Sequence, residues 1–225
     1  MDGVLVVNKS KGMTSHDVVD LVRRRFRLKK VGHAGTLDPM ATGVLVTLVG
    51  SYTKLSSQFM SEDKEYEGSL LFGGSSDTGD AWGKITDSGK SVKFTDEEIK
   101  AAFAKFLGET EQLPPMYSSV KINGRKLYEL ARKGLTADPA PRKITIKNLD
   151  VLNINLPEVF FKLTCSKGTY IRQLCMDIGN MLGCGAYMAG LNRTRSGRFA
   201  IDKAIPIDDI RKMSLPDLEK VIITI

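Results

Sequence analysis

Short apolar runs, each closed by glycine or a polar cluster, set the rhythm of this chain. Val4, Leu5, Val6 and Val7 form the first run and predict a strand over 3–8. Val18, Val19, Val22 and Phe26 recur at helical spacing behind Thr14 and Ser15, either of which can cap a helix reaching about 26. Residues 44–49 read Val-Leu-Val-Thr-Leu-Val and stop at Gly50, the signature of a buried strand. A short helix is expected over 51–60 and a strand over 64–73, in which period two puts Tyr66, Gly68 and Leu70 on one face. Thr95 and Glu98 form a capping box that opens a helix to about 107, closed by Gly108.

Further on, Pro114-Pro115 breaks the pattern, 117–122 reads as a strand, Asn123-Gly124 as a tight turn, and Leu127, Leu130 and Ala131 as a short helix stopped by Gly134. Strands are expected over 143–154 and 159–166, a helix from about 172 to 182, a basic strand-like stretch over 186–199, and short helices over 207–210 and 216–220. Strands outnumber helices and their alternation is irregular. The fold class is therefore α+β, with a mixed or mainly antiparallel sheet.

Between the first predicted helix and the second predicted strand lies Gly-His-Ala-Gly-Thr-Leu-Asp-Pro-Met-Ala-Thr-Gly, residues 32–43. Its single carboxylate, Asp38, precedes a proline, which keeps it out of a helix. The loop runs straight into the 44–49 strand, so it is held by core structure. Two readings fit these residues alone: a turn started by Asp-Pro, or a reactive carboxylate on a rigid support. Tyr66, between Glu65 and Glu67, is likewise either a half-buried strand tyrosine or a functional one. Residues 75–83 form an acidic loop with the only tryptophan, but no glutamate completes a calcium loop.

Composition narrows the classes. The chain has 225 residues, enough for one sizeable core, and no apolar run of transmembrane length or signal-peptide pattern. Three separated cysteines without a C-x-x-C pair argue for a reducing cytosol, and two histidines make a histidine metal centre improbable. The net charge of +7 points to an anionic partner, most often nucleic acid. Basic residues cluster at Arg23, Arg24, Arg25 and Arg27, through residues 121–143, and at Arg193, Arg195 and Arg198. The first cluster is as well explained by a solvated helix end as by RNA.

Taken together, the 32–43 loop, the Lys-Glu-Tyr strand at 64–66, Ser-Lys-Gly-Thr-Tyr-Ile-Arg at 166–172 and Leu-Gly-Cys-Gly-Ala at 182–186 resemble the tRNA pseudouridine synthase B (TruB) family. The 76–83 loop and the stretch 112–132 resemble it too. The similarity covers most of residues 3–199. It implies a pseudouridine-synthase-like α+β fold with an RNA-gripping thumb at about 112–141, in a catalytic domain of residues 1–199. It also implies an intramolecular transferase that converts uridine to pseudouridine in the T-loop of tRNA, at position 55, by base flipping. By the same resemblance Asp38 is the catalytic aspartate and Arg172 the arginine paired with it. Tyr66 stacks on the target base and aids proton transfer. His33, Tyr170 and Leu191 contact the substrate around the flipped nucleotide.

The chemistry is redox-neutral, so no cofactor and no metal are expected. The expected partner is tRNA through its T-arm, in the cytoplasm, with no membrane and no obligatory protein partner, the chain acting as a monomer. The family's Asp-Lys-Pro start is replaced here by Asn8-Lys9-Ser10. Residues 200–225 are expected to be a short stub where family members carry a PUA-like RNA-binding domain. A non-catalytic RNA-binding or RNA-chaperone module would use the same basic surfaces. It would have no need of Asp38, Tyr66 and Arg172 together.

Overall fold

The computed structural model describes residues 1–122 and 124–224. In chain order the elements are β1 (Gly3–Lys9), α1 (Ser15–Arg25), β2 (Val31–His33), β3 (Thr42–Val49), a 3-10 turn (Gly50–Leu55) leading into α2 (Ser56–Ser61), and β4 (Lys64–Phe72). There follow β5 (Gly74–Ser76), β6 (Ile85–Asp87), α3 (Asp96–Ala104), β7 (Gly108–Gln112), β8 (Lys121–Ile122), β9 (Arg125–Lys126) and α4 (Leu127–Ala131). The rest comprises β10 (Arg142–Asn155), β11 (Glu158–Cys165), α5 (Ile171–Met181), β12 (Ala186–Ser196), β13 (Phe199–Ala200), β14 (Ile205–Pro206), α6 (Ile207–Lys212) and α7 (Leu215–Val221). Strand pairing is mostly antiparallel, with parallel pairs at β1–β14 and β3–β12. The α+β class with a mainly antiparallel mixed sheet is as the sequence predicts.

The chain forms two compact units. The first holds Met1–Tyr66 and the residues from Leu191 onward. In it β14, β1, β3 and β12 lie side by side, with β2 on β3 and β13 on β12. Val4, Val6, Val44, Val46 and Leu48 alternate onto one face and meet Ala34, Phe59 and Phe199. Leu5, Val7 and Leu45 on the opposite face are equally buried. Burial on both faces explains why these strands read as unbroken apolar runs rather than alternating ones. Each such aliphatic side chain contributes about 1.5–3 kcal/mol on burial. Helix α1 starts at Thr14, whose side chain and Asp17 form a reciprocal capping box, and buries Val18, Val19 and Val22. The segment after Phe199 builds β14, α6 and α7 within this unit: β14 and α6 both pack on β1, and Leu218 of α7 is fully buried.

The second unit is Glu67–Gly190. Strands β4, β11, β10 and β7 run in that order; α3 packs on β10, and its Phe103 also meets Phe161 of β11, ring centroids 6.0 Å apart. Three local readings change along the chain. Residues 108–112 form a strand, β7, although Gly-Glu-Thr-Glu-Gln shows no apolar alternation; it is an edge strand held by β10. The strand expected over 117–122 shrinks to β8, because the carbonyls before it are taken elsewhere. Tyr117 O accepts from Arg172, Ser118 O from Tyr128 N–H and Val120 O from Leu127 N–H. The helix expected over 51–60 divides into a 3-10 turn and α2. Strands β8 and β9 pair as a hairpin in which Gly124 takes φ +79. Asn123, the other half of the expected turn, lies outside the described residues.

Candidate functional site

In the first unit, the loop between β2 and β3 is fastened at almost every residue. Ala34 N–H donates to Val46 O. The Arg193 guanidinium donates to Gly35 O, Thr36 O and Val44 O. Ser15 Oγ accepts the Leu37 N–H at 2.8 Å and donates to the Leu37 carbonyl at 3.2 Å. Pro39 O accepts from Gly12 N–H and from Lys9 Nζ. Asp38 O takes the Ala41 N–H, closing the turn. Leu37, Met40 and Ala41 are buried as anchors, while Asp38 between them remains half-buried. The loop is thus both a turn and a rigid mount, and the one carboxylate in it is the group it presents.

Two buried cations lie under this mount. Lys9 is fully buried, with Nζ donating to the carbonyls of Ser10, Met13 and Pro39. Burial brings its ammonium down to about 8; Arg193 adds to the lowering, and the charge of Asp38 opposes it. Arg193 is 1% exposed. Sequence reading placed Arg193 among the residues facing an RNA, because it stands with Arg195 and Arg198. The structure turns it inward as the tie of the Asp38 loop, and Arg195 pairs with Glu65 at 3.0 Å. Neither Lys9 nor Arg193 carries a sequence signal of this role. A buried cation is recognisable only from the carbonyls that converge on it.

His33 ends β2 and is half-buried, its Nδ1 without a hydrogen-bond partner among the described residues. Burial first, then Arg193, lowers its pKa, so the ring is neutral at pH 7. Tyr66 is buried in β4 on the face it shares with Lys64 and Leu70. Leu191 is half-buried in β12, next to Asn192, which pairs with Thr42 just after the Asp38 loop. Asp38, His33, Tyr66 and Leu191 therefore all belong to the first unit.

Arg172 and Tyr170 belong to the second unit, at the start of α5. Arg172 is buried. Its Nη1 and Nη2 each donate at 2.8 Å, to Thr78 O and Tyr117 O, and its Nε lies 3.9 Å from Asp80 Oδ2. A cation near a helix N-terminus opposes the helix dipole, and these carbonyls and the Asp80 carboxylate offset that cost. Asp80 is held in turn: Oδ1 accepts from Thr78 Oγ1 and from Trp82 N–H. The acidic 75–83 loop is thus an arginine seat. Among the described residues no group of three or more His, Cys, Asp or Glu could hold a metal ion. Tyr170 is the N-cap of α5, its backbone clasped by the buried Gln112 side chain.

The fold is that of the pseudouridine synthases. It is similar to a chain in the crystal structure of a Cbf5-Nop10-Gar1 complex, with TM-score 0.74 and 30% identity over 93% of this chain and 54% of that one. A chain in the structure of an H/ACA RNP bound to a substrate RNA containing 2'-deoxyuridine gives TM-score 0.70 and 28% identity, over 93% of this chain and 52% of that one. This chain spans about half the length of those solved chains. The description "TruB family pseudouridylate synthase (N terminal domain)" matches residues 23–171, and "tRNA pseudouridylate synthase B C-terminal domain" matches residues 172–222. The tRNA pseudouridine synthase B of Opitutus terrae is 44% identical over 225 residues, covering 100% of this chain and 93% of its own. That of Clostridium tetani is 48% identical over 217 residues, covering 96% of this chain and 75% of its own. The chain belongs to the TruB family of pseudouridine synthases.

Proposed function

We propose that this chain converts uridine to pseudouridine in tRNA, in the T-loop at position 55. The observation that carries the reading is the Asp38 loop, in which a single half-buried carboxylate is mounted on a backbone pinned by Ser15, Lys9 and Arg193. Family membership and the tRNA pseudouridine synthases at 44% and 48% identity supply the reaction. The isomerisation breaks N1–C1′, turns the uracil, joins C5 to C1′, gives up the C5 proton to solvent and leaves N1 with a proton taken up in its place. No electrons are gained or lost. Catalysis then rests on holding the reacting atoms in place and on a group that attacks or deprotonates the ribose.

Asp38 is that group in this proposal. The target base must first leave its stack, at a cost of a few kcal/mol. Tyr66 recovers stacking worth about 1–3 kcal/mol and its hydroxyl serves proton transfer. Arg172 completes the chemistry, His33, Tyr170 and Leu191 contact the flipped nucleotide, and the 112–141 insertion grips the arm. No cofactor takes part.

The experiment is to treat a tRNA transcript and an isolated T-arm stem-loop with the chain and map pseudouridine at single-nucleotide resolution. One modified site, at position 55 of both RNAs, is the expected result. Modification elsewhere only, or none, overturns the proposal.

A further inference from the structure

Gln112 is the last residue of β7 and pairs in register with Arg142, the first residue of β10. The chain leaves the sheet after one and returns at the other, so this pair is the neck of residues 113–141. The Gln112 side chain is buried and both ends of its carboxamide are used. Nε2 donates to the Tyr170 carbonyl at 3.0 Å, and Oε1 accepts the Tyr170 N–H at 2.8 Å. A side chain here makes the two-way bond that a neighbouring strand would make, across 58 residues of sequence.

Tyr170 needs that partner. It is the N-cap of α5 and no side chain of the helix caps it. Its N–H belongs to the donors that a helix start leaves without an internal acceptor. Two residues on, Arg172 donates to Tyr117 O, inside the same 113–141 segment. The first turn of α5 is therefore stitched to that segment once at its neck and once within it. Only a neutral group with one donor and one acceptor in this geometry satisfies both bonds to Tyr170: a carboxamide, or a protonated carboxyl.

We propose that Gln112 is a positioning residue for the uridine isomerisation, fixing the start of α5 and with it Tyr170 and Arg172. This rests on the function proposed above. Gln112 touches the backbone of Tyr170 and acts through it, so its loss changes rate more than RNA affinity.

The test uses Gln112→Met, close in size but without the bonds, and Gln112→Glu, which regains both bonds only when protonated. Single-turnover rates at saturating enzyme and Kd are measured on a T-arm stem-loop. Gln112→Met is expected to lose roughly 10- to 100-fold in rate while Kd stays within about threefold. The rate of Gln112→Glu relative to the unaltered chain is expected to climb about fivefold or more as pH falls from about 8.5 to about 5.5. Unchanged rates, a loss confined to Kd, or a pH-independent ratio for Gln112→Glu overturns the proposal. If Gln112→Met does not fold, the acid recovery of Gln112→Glu decides alone. If the unaltered chain makes no pseudouridine, it is the proposed function that fails. The clasp is then judged by amide exchange at Tyr170, slow in the unaltered chain and at least about tenfold faster in Gln112→Leu, which has no acceptor for that N–H. Equal exchange in the two proteins overturns it.

Discussion

The role proposed for Asp38 needs an aimed carboxylate, and the loop backbone around it is held by groups that touch its neighbours: Ser15 on Leu37, Lys9 and Gly12 on Pro39, Arg193 on Gly35 and Thr36. Tyr66 plays a different part. Buried in β4, it would offer a ring for stacking and a hydroxyl for proton transfer. Tyr66→Phe keeps the ring, so the expected outcome is a single-turnover rate reduced about 100-fold or more with Kd for the stem-loop nearly unchanged. Wild-type turnover in that variant would show that Tyr66 only packs.

Lys9 yields a pH signature at the same scale. Its pKa falls from 10.5 to about 8 on folding. Below about pH 8 both folded and unfolded chains hold the proton, and the cost of burying the charge is present in full. Between about 8 and 10.5 the unfolded chain holds a proton that the folded one releases, so stability rises with pH in this window. Lys9→Met lacks the effect. The unfolding free energy of the wild type relative to Lys9→Met should therefore increase by about 2 kcal/mol between pH ~7.5 and ~9.5, measured by denaturant titration. A difference that stays constant or shrinks would contradict the buried-ammonium account.

At the scale of elements, β3 and β12 meet at Gly43, whose φ of +102 and lack of a side chain let the two backbones touch. A Cβ there would lie 2.7 Å from Arg193 N and closer still to the Arg193 carbonyl and Asn192 Oδ1. Gly43→Ala should cost about 2 kcal/mol or more through clash and strain, read as a drop of several degrees in Tm. Because Arg193 is displaced with its strand, the Asp38 loop should loosen, and proteolysis between β2 and β3 should speed up. A variant as stable as the wild type would mean that the strands approach less closely than described.

The elements that sequence reading found are those whose own residues decide them. The runs at Val4–Val7 and Val44–Val49 are buried on both faces, and the capping boxes at Thr14 and Thr95 are made by side chains three residues apart. Asp38 was legible as a carboxylate on a strand-anchored loop, and its catalytic reading came from the resemblance of several motifs in order. What was not legible depends on distant partners. Gly-Glu-Thr-Glu-Gln becomes β7 only because β10 lies beside it, and 117–120 stays irregular because Arg172, Tyr128 and Leu127 take its carbonyls. Arg193 among arginines looks like a surface charge until the carbonyls of Gly35, Thr36 and Val44 are seen around it. Gln112 and Asp80 have no local cue at all.

For the molecule as a whole, inward Arg193 and paired Arg195 leave exposed basic stretches in both units, one of them Arg23, Arg24, Arg25, Arg27, Lys29 and Lys30 in the first and the other in the second. Lys121, Arg125, Arg132, Lys133, Arg142 and Lys143 are all exposed, within or beside the 112–141 insertion. If four of them meet phosphates of a loop RNA, log K should fall with log salt at a slope of about −3. Neutralising Arg132 and Lys133 together should reduce that slope by about 1.4. A flat salt dependence would contradict a phosphate-dominated interface.

The most direct test of the account is tritium release from a T-arm stem-loop carrying 5-tritiated uridine, because making the C5–C1′ bond expels the C5 hydrogen. The chain is compared with Asp38→Asn, which keeps shape and hydrogen bonding but can neither attack nor deprotonate. The account predicts one tritium equivalent released per stem-loop by the unaltered chain, and a rate at least about 1,000-fold lower for Asp38→Asn, with Kd for the RNA preserved. Release by Asp38→Asn at a comparable rate, or RNA binding without release by either protein, would contradict it, the second result marking the chain as an RNA-binding module rather than an isomerase.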